Sequence, residues 1–129
     1  MSSPGSMPYD PEVRPDPNDW LAMPELDRHE AVQRYHTRTN FQGESLKMHA
    51  VIHVAIENQL AEGHPAATTA MDRLITEGLD RHDAIHAVGS VLSREMYAVM
   101  TERRLHDPEL YARNLNQLTA AAWLASWDD

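Results

Sequence analysis

"MHAVIHVAIENQL", residues 48–60, decides how the chain is read. Its apolar letters are those of a buried helix, with no strand-like alternation. Yet His49, His53 and Glu57 stand on it at steps of four. Each residue turns a helix by about 100°, so three groups at steps of four make one stripe that drifts only about 40° per step. Leu46 and Leu60 fall on the same stripe and Ile52 and Ile56 flank it. The spacing therefore predicts two imidazoles and a carboxylate on the inner side of a helix.

A second stretch, "LDRHDAIHAVGSVL", repeats the arrangement with His82 and His86, again four apart and bordered by Ile85, Leu92 and Met96. Gly89 and Ser93 continue that line. A glycine inside a helix costs about 1 kcal/mol relative to alanine, and close approach of another helix is a reason to carry that cost. The two histidine helices are expected to cross near Gly89. The helix before them adds His29 and His36, seven apart on one face.

Helix boundaries follow from prolines, glycines and short acidic caps. One helix is expected over residues 24–38 after a short turn at Trp20, with Pro24 at its start. A second spans 44–62 and stops at Gly63. A third begins at Pro65 and ends before Gly78. Asp80 with Asp83 opens a fourth that reaches about residue 104. Asp107-Pro108-Glu109 opens a fifth running to about Trp127. The short connections favour antiparallel neighbours. The expected fold is all-α, a four- to five-helix, mostly up-and-down bundle. Residues 20–129 form a single helical domain. Residues 1–19, which hold five of the eight prolines, form an extended arm that is either flexible or ordered by contact.

The composition narrows the chemistry. The 129 residues include no cysteine, so disulfides and thiolate metal sites are excluded. A net charge of −9, from 20 acidic and 11 basic residues, repels a phosphate backbone, and nucleic acid is not an expected partner. No apolar run approaches the ~18 residues that span a membrane, and no N-terminal signal-peptide form is present. The expected location is the cytoplasm. Nucleophile elbows, phosphate-binding glycine loops and dinucleotide fingerprints are all missing.

Two histidines four apart on a helix chelate one ion without rearranging the backbone. The metal-ligand candidates are His49, His53, Glu57, His82 and His86, with His29, His36, Asp83 and Asn58 as additional or supporting positions. A mixed nitrogen and oxygen set suits Zn, Fe, Mn or Ni more than Ca or Mg. Glu57 is also the candidate general base of a small metalloenzyme whose substrate is not readable. The alternative is a buried hydrogen-bond network in a non-enzymatic interaction protein. Asp83 has its own competing role as a capping carboxylate. His64 is read as a cap and His106 as a turn residue. The seven methionines are scattered and suit core filling. In the C-terminal "LTAAAWLASWDD", Tyr111, Leu115, Leu118 and Ala122 make one apolar stripe. Trp123, Leu124 and Trp127 lie off it, so Trp123 and Trp127 either fold over the N-terminal arm and Trp20 or form a candidate homodimer face.

His53, Glu57-Asn58-Gln59-Leu60, Arg81-His82, Ala84-Ile85-His86, Val88 and Gly89 together resemble the pattern of a family of small helical bacterial proteins filed as a domain of unknown function. The resemblance covers about residues 45–100 and implies that these residues act as a unit; it implies no particular activity. Di-iron bundles are a weaker match, because the chain has no Glu-x-x-His. His53, the His82-Asp83 pair and Asp107 also resemble the His-Asp phosphohydrolase arrangement in part, but basic residues for phosphate are sparse near them.

Overall fold

A computed structural model describes residues 8–39 and 46–126. Among the described residues the chain is all-helical, with seven helices and no strand. They group into two compact units, Met1–Gly63 and His64–Asp129.

In the first unit the helices are α1 (Pro17–Ala22), α2 (Glu25–Arg38) and α3 (Leu46–Ala61). The short turn expected at Trp20 is a six-residue helix. Pro17 opens it and the Asp16 side chain accepts the Asp19 amide at 3.0 Å. Pro24 directly precedes α2, as its fixed φ favours. α3 packs against both α1 and α2. Between them lies a core of Tyr9, Trp20, Met23, Ala31, Val32, Ala50 and Val54. Asn58 on α3 ties the unit together. Its Oδ1 accepts from Trp20 Nε1 and from Arg28 Nη1, both at 2.9 Å. The same guanidinium donates to the carbonyls of Leu21 and Met23 at 3.0 Å, which satisfies carbonyls that the end of α1 leaves open.

Residues 8–16 of the Pro-rich stretch precede α1. Tyr9 and Pro11 are buried. The Tyr9 ring lies 5.8 Å from Trp20 and meets Tyr35 edge-on at 6.2 Å, aromatic geometries that add attraction beyond buried area. Residues 1–7 of the expected arm lie outside the described residues.

The second unit contains α4 (Pro65–Thr76), α5 (Arg81–Glu102), α6 (Pro108–Gln117) and α7 (Ala120–Ala125). Each starts on a side-chain cap. His64 Nδ1 accepts the Ala67 amide, Asp80 accepts that of Asp83, Asp107 those of Glu109 and Leu110, and Thr119 that of Ala122. Gly78, after α4, has a φ of +113°, a region open to glycine and strained for other residues. α4 packs on α5 and α6, and α5 on α6 and α7. Buried Met71, Leu74, Ile85, Val88, Tyr111 and Leu115 supply apolar side chains to this unit.

The expected fifth helix is two helices. Arg73 Nη2 donates to the carbonyls of Leu115 and Leu118, each at 2.7 Å. Leu118 adopts extended backbone, Thr119 caps the new helix, and Glu77 Oε1 accepts the Ala120 amide at 2.8 Å. Arg73 on α4 and Glu77 just after it thus satisfy the backbone at the break.

Candidate metal centre

His49 and His53 occupy successive turns of α3, and His36 lies in the last turn of α2. The packing of α2 on α3 brings the three together. Ring centroids are 4.4 Å apart for His36–His49 and 4.8 Å for both His36–His53 and His49–His53. Each ring offers a nitrogen, and these nitrogens lie within 4.8 Å of one another. His53 is fully buried, His36 is 2% exposed and His49 is half-buried. Nitrogens this close could share one ion once side chains move in to coordination distances of about 2.0–2.1 Å.

His36 is fixed in orientation by its own helix. Its Nδ1 lies 2.8 Å from the Val32 carbonyl. A carbonyl only accepts, so Nδ1 carries the proton, and the neutral ring keeps its lone pair on Nε2. Such a bond from the non-ligating nitrogen orients histidines in metal sites. His53 has a different neighbour: its Nδ1 is 3.2 Å from the hydroxyl of Tyr9. That hydroxyl donates to Glu57 Oε2 at 2.6 Å. Glu57, 2% exposed, therefore faces Tyr9 and lies outside the group of close imidazoles.

In the second unit, His82 and His86 lie in the first turns of α5 with ring centroids 4.4 Å apart. Their ring nitrogens also lie within 4.8 Å of each other. Asp83 beside them sits at the capped start of α5. Burial and the neighbouring Asp80 carboxylate raise its pKa, and His82 partly offsets this.

The remaining candidates have other surroundings. His29 Nε2 is 3.4 Å from Glu25 Oε1, an i,i+4 pair with an exposed carboxylate. Asn58 spends its oxygen on Trp20 and Arg28. His64 caps α4. Trp123 is 7% exposed and lines a cleft with Val91, Arg94 and Leu118; Trp127 lies outside the described residues.

Two polar arrangements escape the sequence reading. Tyr9 is one. The other is Glu95 on α5, 4% exposed, which accepts Arg104 Nη2 at 2.7 Å, Arg104 Nη1 at 3.0 Å, His106 Nδ1 at 2.9 Å and the Asp107 amide at 2.9 Å. The Arg104 hydrogen bonds, then the Asp107 amide, lower the Glu95 pKa to about 2. This carboxylate clasps the corner where α5 ends on Arg103, at φ 53°, and α6 begins. His106 is therefore more than a turn residue.

The sequence profile of a domain of unknown function, DUF1841, matches residues 22–117. The chain belongs to that family. All of the histidines and both polar arrangements lie within the DUF1841 span, except Tyr9, which precedes it. No curated protein matches the chain, and no solved structure does. Among the described residues, no helix is long and apolar enough to cross a membrane.

Proposed function

We propose that this DUF1841 protein binds a divalent transition metal through His36, His49 and His53 of its first unit. The observation that carries the reading is the trio of buried and half-buried imidazoles whose nitrogens lie within 4.8 Å of one another. Three bases of one kind crowded into low dielectric favour a shared electrophile, and a metal ion is the strongest candidate. An all-imidazole set shifts the expected ion toward Zn, Fe, Ni or Cu and away from Mn.

His36, His49 and His53 would hold the ion, which would supply Lewis acidity to a water or substrate beside it. Glu57, held against Tyr9, would support the site without ligating, which moves it away from the general-base role.

The test is metal titration of chelator-stripped protein with zinc, nickel and ferrous iron, followed by calorimetry. One equivalent is expected per chain. A His49→Ala/His53→Ala double variant is expected to weaken binding about 10-fold or more, ~1.4 kcal/mol. Unchanged affinity in that variant overturns the reading. Absence of uptake by the parent favours the second reading, a buried polar network, for which the His36–Val32 and Tyr9–Glu57 bonds already speak.

A further inference from the structure

The geometry assigns Tyr9 as the positioning residue that decides which nitrogen of His53 is offered to a ligand, an inference that rests on the metal reading for its consequence but not for its chemistry. A phenol has one proton. Tyr9 gives its proton to Glu57 Oε2 at 2.6 Å. The same phenolic oxygen lies 3.2 Å from His53 Nδ1. With its proton already committed, that oxygen meets the ring as an acceptor, so Nδ1 must carry the hydrogen. The neutral imidazole then keeps its lone pair on Nε2. Val32 imposes the same tautomer on His36 through a carbonyl. Two of the three clustered imidazoles are thus prepared with Nε2 as the base, one by backbone and one by a side chain reaching in from the arm.

The arrangement is a relay in which a buried carboxylate fixes a phenol and the phenol fixes an imidazole. It does the work of the carboxylate–histidine pair that orients many metal ligands, with a tyrosine inserted between the two. The Tyr9 ring is held independently of its hydroxyl by Trp20 and Tyr35, and it meets the His53 ring edge-on at 6.1 Å. Tyr9→Phe therefore removes the relay and keeps the packing. Because Tyr9 belongs to the arm, binding at His53 and docking of the arm are linked. What Tyr9 contributes to ligand affinity, the ligand returns to arm docking.

The experiment is a long-range nitrogen–proton correlation spectrum of the histidine rings in metal-free protein, parent and Tyr9→Phe, paired with zinc titration of both. The expected parent signal for His53 is the Nδ1–H tautomer. In Tyr9→Phe it shifts toward a mixture with Nε2–H, and zinc affinity falls about 10–100-fold, the usual loss when a ligand's orienting partner is removed. A parent His53 protonated on Nε2 overturns the assignment, as does an unchanged tautomer in folded Tyr9→Phe, the result that a purely packing role predicts. The parent spectrum decides the assignment even if the variant does not fold. If the tautomer shifts as expected but the parent takes up no zinc, the positioning role stands and the metal reading fails.

Discussion

Glu95 in the second unit and the His36–His49–His53 group in the first both set polar chemistry inside apolar helices, yet they satisfy it in opposite ways. Glu95 is one acid surrounded by donors. A guanidinium, an imidazole and a backbone amide supply four hydrogen bonds to its two oxygens. Charge and hydrogen-bonding capacity are met within the chain, so the cluster asks for nothing further and serves as a corner brace. The histidine group brings three copies of the same base together, and its supporting bonds run outward, from His36 to Val32 and from His53 to Tyr9. Burying unlike groups together completes a structure. Like bases buried together would suit a shared electrophile, and this difference separates the brace from the candidate site.

The comparison is sharpest when metal is added. At free zinc 100 times the dissociation constant, binding stabilises the folded parent by about 2.7 kcal/mol, read as a rise in melting temperature that chelator reverses. His53→Ala is expected to lose that gain, and Glu95→Gln to keep it in full, although it starts from a lower melting temperature. Equal loss in both variants would break the distinction between site and brace.

Acid probes the brace by itself. The folded pKa of Glu95 is about 2, against an ordinary value of 4.5. A depressed carboxylate pKa means that its contribution is fully present above about pH 4.5 and is lost as pH falls toward 2. Stability measured by urea unfolding across that window should drop in the parent and drop less in Glu95→Gln. Parallel curves would show that the clasp does not bind its carboxylate in the charged form.

A smaller effect is expected at the start of α5. Asp80 accepts the Asp83 amide at 2.8 Å, and Asp80→Ala should cost about 1 kcal/mol, the usual value of an N-cap. Urea unfolding reads that loss, and an unchanged midpoint would show that the Asp80–Asp83 bond does not secure the start of α5.

Much of this is legible in the letters, and the remainder is hidden for identifiable reasons. The ends of α2, α3, α4 and α5 are written in Pro24, Gly63, Gly78 and Asp80, because local backbone geometry admits few residues there. His49 and His53 are legible through their four-residue spacing. His36 is visible but undervalued, since one imidazole on an amphipathic helix is common and only the packing of α2 on α3 gives it neighbours. Tyr9 is hidden because it reaches His53 and Glu57 from 44 and 48 residues away, and a proline-rich arm carries no periodicity to announce it. Glu95 reads as one more solvated charge because its partners sit nine to twelve residues on, around a corner, rather than at helical spacing. The break after Gln117 is equally non-local. It depends on Arg73 reaching carbonyls 42 and 45 residues ahead.

The most direct measurement is elemental analysis of untagged protein purified without chelator or added metal, beside His36→Ala, His49→Ala and His53→Ala. The account predicts one equivalent of a single transition metal in the parent and its loss from each of the three variants. A parent with no metal, and no uptake when offered zinc, nickel or ferrous iron, would contradict it.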